Sequence, residues 1–326
     1  MAFIRKSPNQ KGWSELEQVS DQKHLGADFP SESTPLLVMH HLSDLHVCDA
    51  QSPLRPEFLD RWADPDSPIR DDVGTIGCYR PHAMLSPHVV ESMIQALNKV
   101  TTGPLSGHPI DAAIITGDTT DNAQLNEVDW YLALLDGLEI TPDSGDFSKY
   151  EGVMDDGAEH YDVKYWHPHG TPAGKEDDDA RAKYGFPVVP GLLDSCRKPF
   201  KSTGLKFPWY AVHGNHDALL QGTVTPNPET QEALMGNKRY VGLPSSLTLQ
   251  ETLEAFDEVG HTIAAGKIIA QLTKVGKLSY ADDVPQLSES PKLKEKWKFD
   301  YCRGMFYQMM QTDWTLADYN KYLEEP

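Results

Sequence analysis

Apolar residues along the chain gather into three short runs, each followed at once by polar side chains able to bind a metal. Leu36-Leu37-Val38-Met39 runs into His-His-Leu-Ser-Asp, Ile110 to Thr116 into Gly117-Asp118, and Pro208 to Val212 into His-Gly-Asn-His-Asp. Runs of this length, bounded by polar and glycine residues, suit buried strands. Between the first two, Ser86-Pro87 offers an N-cap followed by proline in the first helical turn. Val89, Val90, Met93, Ile94, Leu97 and Val100 then recur at helical spacing, which predicts an amphipathic helix over 87–100. Leu125, Val128, Leu132 and Leu135 mark a second helix after the second run. Strand, helix, strand, helix predicts an α/β layered fold.

Outside these elements the pattern weakens. Residues 1–33 are polar and read as an exposed arm. The segment 50–80 is rich in Pro, Asp and Arg and reads as a long loop. From about 141 to 206 the periodicity fails among Asp, Gly, Pro, Tyr and Lys. Such a stretch inside a domain is uncommon and usually functional, so it is read as an insertion near the mouth of a site. Residues 219–326 carry mixed helical signals, as at 248–258 and 314–324, with little strand character.

Composition narrows the chemistry. The chain has 326 residues and 39% apolar content, enough for a sizeable core, and a formal charge of −20. That charge argues against a general affinity for nucleic acid or for an anionic membrane surface. It also repels anionic substrates, so a phosphate site needs local positive charge such as bound metal ions. The four cysteines, Cys48, Cys78, Cys196 and Cys302, show no paired metal spacing and predict free thiols in a reducing compartment. The N-terminal MAFIRKSPNQKGW lacks an apolar core, and no run reaches membrane-spanning length. A cytoplasmic protein is expected.

The motifs after the runs share one logic. In extended backbone, residues i and i+2 point the same way, so Asp44 and His46 converge on one point. Gly117 and Gly214 permit close turns before Asp118 and before Asn215 and His216. Sites in open α/β sheets form at the carboxyl ends of strands. Three adjacent strands would bring Asp44, His46, Asp118, Asn215 and His216 together. Carboxylate, imidazole and amide donors suit Mn, Fe or Zn, and a shared carboxylate can hold two ions roughly 3.5–4 Å apart. Each motif alone is ordinary: Asp-x-His is common on surfaces, Gly-Asp is a frequent turn, and Gly-Asn-His-Asp also fits a helix start with Asp217 in its first turn. Order, spacing and strand context together carry the reading.

The set Asp-x-His, Gly-Asp-x-x-Asp, Gly-Asn-His-Asp resembles the calcineurin-like metallophosphoesterase superfamily over roughly 36–218. The wider context, SDLHVCDAQSP, FLDRWADPDSP and FPVVPGLLD, resembles a bacterial branch with a large insertion before Gly-Asn-His-Asp. The resemblance implies a layered sandwich of mixed β-sheets flanked by helices, and two divalent metal ions. Asp44 and His46 would bind the first ion, Asp118 would bridge both, and Asn215 would bind the second. His216 would not be a ligand but a general acid or transition-state stabiliser beside the substrate. Asn122 either orients the site or caps a helix. Arg80 either meets a phosphate or lies at the surface. His167 and His169 either form an extra metal site or are loop histidines touching substrate. Cys48 reads as a small buried filler, and His40, His41 and His213 as structural.

The sequence also departs from that pattern. The family's later lone His and Gly-His-x-His have no counterpart, because His261 in VGHTIAAG is followed by Thr-Ile-Ala. The chain reads as the first half of the fold, 34–218 with its insertion, and a segment 219–326 in place of the second half. The expected function is metal-dependent hydrolysis of a phosphomonoester or phosphodiester, on a small-molecule or macromolecular substrate. With three histidine ligands lacking, the 326-residue chain is expected to turn over little, even with added Mn²⁺. The alternatives are a non-catalytic scaffold or weak metal-binding module, and a phosphate-sensing interaction domain.

Overall fold

The computed structural model describes residues 35–52, 55, 57–68, 70–73, 79–104, 106–155, 157, 161–218 and 221, together with strands at 2–8, 14–20, 240–242 and 279–280. The helical signals at 248–258 and 314–324, His261, Cys78 and Cys302 lie outside the described residues.

Strands β1 (Ala2–Pro8) and β2 (Ser14–Ser20) pair antiparallel, so the segment read as a polar arm contains paired backbone. Next come β3 (Met39–Leu42), two single-turn helices α1 (Asp60–Ala63) and α2 (Arg70–Val73), and the longer α3 (Ser86–Leu97). Strand β4 (Ala112–Ile115), helix α4 (Leu125–Asp136) and strand β5 (Glu139–Ile140) follow. After α5 (Asp179–Tyr184) and α6 (Leu192–Ser195), β6 (Phe200–Lys201) pairs antiparallel with β5, and β7 (Trp209–Ala211) follows. Strands β8 (Tyr240–Gly242) and β9 (Ser279–Tyr280) form a further antiparallel pair. The chain is thus mixed α/β, with a parallel sheet, antiparallel pairs and flanking helices.

The parallel sheet has the order β3-β4-β7. Its register sets Met39 beside Ala112 and Ala113 beside Trp209. Parallel neighbours need long crossovers, and α3 and α4 lie in those crossovers. Both pack on one face of the sheet, where Leu42, Ala113 and Ile115 meet Val90, Ile94, Leu134 and Leu135 in a single apolar cluster. On the other face Met39, Tyr210 and Val212 are exposed. The run at 36–39, read as a buried strand, is corrected: Leu36 and Leu37 are exposed, and pairing with β4 begins at Met39. Burial along β3 then alternates, with His40 and Leu42 inside.

Helix α3 begins one residue earlier than predicted. Pro87 sits in its first turn, but Ser86 does not cap it. The Ser86 hydroxyl instead accepts the Cys48 backbone N–H at 2.9 Å, which ties the helix start to the loop after β3. In α4 the Glu127 carboxylate accepts the backbone N–H of Asp49 at 2.7 Å and of Asn122 at 2.8 Å, so this buried acid joins the loops after β3 and β4.

The stretch 141–206 is not structureless. Arg197 pairs with Asp143 at 2.6 Å and Arg181 with Asp178 at 2.5 Å. It docks on the segment after β3: Glu151 N–H donates to Gln51 Oε1 at 2.6 Å, and the Tyr165 hydroxyl donates to the Glu57 carbonyl at 2.7 Å. No helix among the described residues is long and apolar enough to cross a membrane.

Two apolar residues of α3 separate core from surface. Ile94 is 0% exposed and Val89 is 49% exposed. Ile94→Ala is expected to cost roughly 2–5 kcal/mol. Val89→Ala should stay within about 0.5 kcal/mol of wild type. Urea denaturation curves read both values, and equal losses would mean that α3 packs by another face.

Candidate metal centre

The ladder of the parallel sheet does not stop where the strands end. Thr116 N–H donates to the Leu42 carbonyl at 3.0 Å, and Val212 N–H to the Ile115 carbonyl at 2.9 Å. Asp44 N–H then reaches the Gly117 carbonyl at 3.2 Å, His46 N–H the Asp118 carbonyl at 2.9 Å, and Val47 N–H the Thr119 carbonyl at 2.9 Å. The loops carrying the motifs are therefore zipped to each other by backbone.

Within those loops the backbone is strained. Asp44, His46 and Asp118 have φ of 57°, 44° and 50°, a region that non-glycine residues seldom occupy. Each such residue costs roughly 1–3 kcal/mol, and such strain clusters at functional sites. It also corrects the route by which Asp44 and His46 converge. Their side chains meet through two left-handed residues flanking Leu45, not through extended alternation, and Leu45 is buried. Gly117 has φ 102°, and a Cβ there would stand 2.7 Å from the Gly214 backbone. A Cβ on Gly214 would collide with Asp118. The two glycines let the turns after β4 and β7 touch.

A buried carboxylate clamps that contact. Asp217 Oδ1 accepts the Thr119 hydroxyl at 2.8 Å, the Thr120 N–H at 2.8 Å and the Thr120 hydroxyl at 3.0 Å. Its Oδ2 accepts the Gly214 N–H at 2.9 Å. Asp217 is thus a strut between two loops, and the backbone from Gly214 to Asp217 is turn rather than helix.

Donor atoms of Asp44, His46 and Asp118 all lie within 4.8 Å of one another, and so do those of His46, Asp121 and His216. Charge decides between these overlapping groups. Asp121 is buried and already paired: Oδ2 with Arg55 at 2.5 Å, and Oδ1 with Arg80. Burial pushes its carboxyl up, but the adjacent imidazoles of His216 and His46 and the charges of Arg55 and Arg80 win, holding it well below the usual carboxylate range. A carboxylate neutralised by two guanidinium groups is a poor seat for a cation. Among the described residues Asp44 and Asp118 have no arginine or lysine counter-ion, and two like charges converging there favour a bound cation. The Ser43 hydroxyl bonded to Asp44 lowers that carboxyl further.

Asp121 instead orients the imidazoles. His46 Nδ1 lies 3.1 Å from Asp121 Oδ1, and His46 Nε2 lies 3.7 Å from Asp44 Oδ1. A carboxylate on one ring nitrogen fixes the tautomer and frees the other for metal. The His216 ring packs edge-on against His46 at 4.5 Å, with its Nδ1 3.7 Å from Asp121 Oδ1. His216 N–H donates to Asp118 Oδ1 at 2.9 Å. Asn215 is exposed on the same turn, and its Nδ2 donates to the Gln221 carbonyl at 3.3 Å, which leaves its Oδ1 as the available donor.

Sequence reasoning missed Asp121 and the role of Asp217. For Asp121 the signal was its spacing, three residues after Asp118. Arg80, weighed as a surface residue, lies against Asp121. Asn122 caps no helix, since α4 is preceded by Gln124, and its side chain bonds Glu127. His167 is buried in the insertion, its Nε2 2.9 Å from the Asp162 carbonyl and its ring 4.2 Å from Tyr161. Neither His167 nor His169 joins a candidate metal group among the described residues. Cys48 is a buried free thiol, as is Cys196.

Comparison of the chain with protein-family models, curated proteins and solved structures gave no match.

Asp217→Asn turns an acceptor into a donor facing N–H and O–H groups, and is expected to cost roughly 2–4 kcal/mol. Thermal unfolding of metal-free protein would show it, and an unchanged melting temperature would refute the strut. Asp121→Asn is expected to weaken Mn²⁺ or Zn²⁺ binding about 10–100-fold, the usual effect of losing a partner behind a ligand. Competition with a chelating dye measures this, and unaltered affinity would mean that another group orients His46.

Proposed function

We propose that the chain is a metal-dependent phosphoester hydrolase of the calcineurin-like metallophosphoesterase type, with the layered sandwich that this type implies. The observation that carries the reading is the convergence of Asp44, His46 and Asp118, each on left-handed backbone, at the ends of parallel strands. Two carboxylates and an imidazole with a fixed tautomer fit a divalent transition metal in number and chemistry. Asp44, His46 and Asp118 would hold a first ion, and Asp118 with Asn215 a second. Bound there, such ions supply positive charge that polarises a phosphoryl group and activates water.

The protein's own groups do the rest. His216 is held at the rim of this cluster by its backbone bond to Asp118 and its packing on His46. With Asp121 behind its Nδ1, His216 would serve as the proton donor to the leaving oxygen. The insertion, docked on residues 49–57, braces the buried Arg55 that fixes Asp121.

A second reading, a non-catalytic or weak metal-binding module, is favoured by one feature. Among the described residues the second seat has only Asp118 and the exposed Asn215, one ligand short of the three that catalytic metals usually take.

The test is metal analysis and ester hydrolysis of the full chain. Dialysed protein is expected to retain nearer one Mn²⁺ or Zn²⁺ than two. Asp118→Ala should lose it. His216→Ala should keep it while lowering any turnover by about 10²–10⁴. Turnover or metal content that survives Asp118→Ala would sink the hydrolase reading. Metal held without any Asp118-dependent turnover would favour the module.

A further inference from the structure

We propose that Arg80 is an anion anchor at this centre, and that it fits the chain to phosphate monoesters over diesters; the monoester assignment rests on the hydrolase reading. Asp121 sits between two guanidinium groups of different kinds. Arg55 is 1% exposed, with Nη1 2.5 Å from Asp121 Oδ2 and 2.8 Å from Cys48 Sγ, and Nε 2.9 Å from Glu57. It is a buried structural counter-ion. Arg80 meets the other oxygen, Oδ1, through Nη2, and 31% of its side chain is open. That same oxygen is 3.1 Å from His46 Nδ1 and 3.7 Å from His216 Nδ1. One carboxylate atom thus joins an open guanidinium to both imidazoles of the centre.

Neutralising Asp121 does not require Arg80, because Arg55 and the hydrogen bond with His46 already face that carboxylate. Among the described residues the Arg80 side chain makes no other ion pair or hydrogen bond. Its planar fork keeps Nε and Nη1 donors, in the geometry by which arginine grips phosphate. The bond to Asp121 fixes the fork beforehand, so less rotamer freedom is lost when an anion arrives. A chain with formal charge −20 gives an anion little attraction elsewhere.

The ester class follows from counting oxygens. A terminal phosphate carries a charge of about −1.5 to −2 and three strong acceptor oxygens. A diester has only two unesterified oxygens and a single charge. A cation supplied beyond the metal seat therefore benefits the monoester more.

The experiment uses the full chain loaded with Mn²⁺, with Arg80→Ala and Arg80→Lys compared with wild type. Calorimetry measures binding of inorganic phosphate and of dimethyl phosphate. Hydrolysis of p-nitrophenyl phosphate and bis-p-nitrophenyl phosphate is followed in parallel. Arg80→Ala is expected to weaken phosphate binding roughly 10–100-fold, the scale of hydrogen bonds to a charged group. Arg80→Lys should fall between, and dimethyl phosphate should change less than about threefold, since it lacks the extra charge. Any monoester turnover should fall through KM with kcat nearly kept. Mn²⁺ affinity should be unchanged; a matching loss of metal would make Arg80 a positioning residue for Asp121 and overturn the proposal. Wild-type protein that binds no phosphate, or Arg80→Ala that binds it equally well, would also overturn it. An equal loss for phosphate and dimethyl phosphate would remove the preference for monoesters. Phosphate binding that depends on Arg80 without turnover of either ester would leave the anchor standing and count against the hydrolase reading alone.

Discussion

Contact between two turns, Gly117 against Gly214, is the constraint on which the centre depends. Neither turn could accept a side chain at that point, because a Cβ on either would enter the other's atoms. Glycine contacts are close but not adhesive. Adhesion comes from Asp217, whose two oxygens accept donors from Thr119, Thr120 and Gly214. A buried carboxylate is costly unless its lone pairs are satisfied, and here the donors come from two loops at once. Folding the acid into the interior therefore brings the loops together, and with them Asp118, Asn215 and His216.

The third loop is joined by backbone. Its amides at Asp44, His46 and Val47 donate to the carbonyls of Gly117, Asp118 and Thr119, extending the sheet's ladder into residues that are no longer strand. The left-handed residues Asp44, His46 and Asp118 themselves supply groups to this ladder. Strain of roughly 1–3 kcal/mol per residue is sustained because the surroundings over-determine it: Leu45, between Asp44 and His46, and Val47, just after them, are buried in the core. The pattern apolar-inward, ligand-outward is the ordinary logic of a strand, applied to a backbone that is not one.

Much of this was legible in the sequence, and the limits have physical causes. Helix α4 and the interior of α3 follow directly from apolar residues recurring at helical spacing, since that spacing is what packing on a sheet requires. The three strands were found, but β3 lay three residues later than the run that announced it, because Leu36 and Leu37 are apolar without being covered. Asp44, His46, Asp118 and His216 were found by their places after strands. Asp121 and Asp217 stand inside the motifs, but nothing local assigns either a role. Their roles depend on partners far along the chain, Arg55 and Arg80 for one, Thr119 and Thr120 for the other. Likewise Ser86-Pro87 reads as a cap, yet its hydroxyl serves Cys48 across the core. Local spacing reports which elements form; it does not report which distant donor a buried oxygen will accept.

The division of labour among the acids then explains which imidazole nitrogen faces which charge. Asp121 is surrounded by positive charge and donors, so it stays ionised while buried and attracts the Nδ1 sides of His46 and His216. Among the described residues Asp44 and Asp118 have no arginine or lysine partner, and Asp44 meets the opposite side of His46, 3.7 Å from Nε2. The two kinds of carboxylate cannot exchange roles: a cation placed at Asp121 would face Arg55 and Arg80, whereas one placed between Asp44 and Asp118 would relieve two converging negative charges. Arg55 therefore acts on the site without being a ligand. By holding the buried Asp121 it leaves His46 oriented towards the open pair, and this favours one seat of two overlapping groups of possible donors.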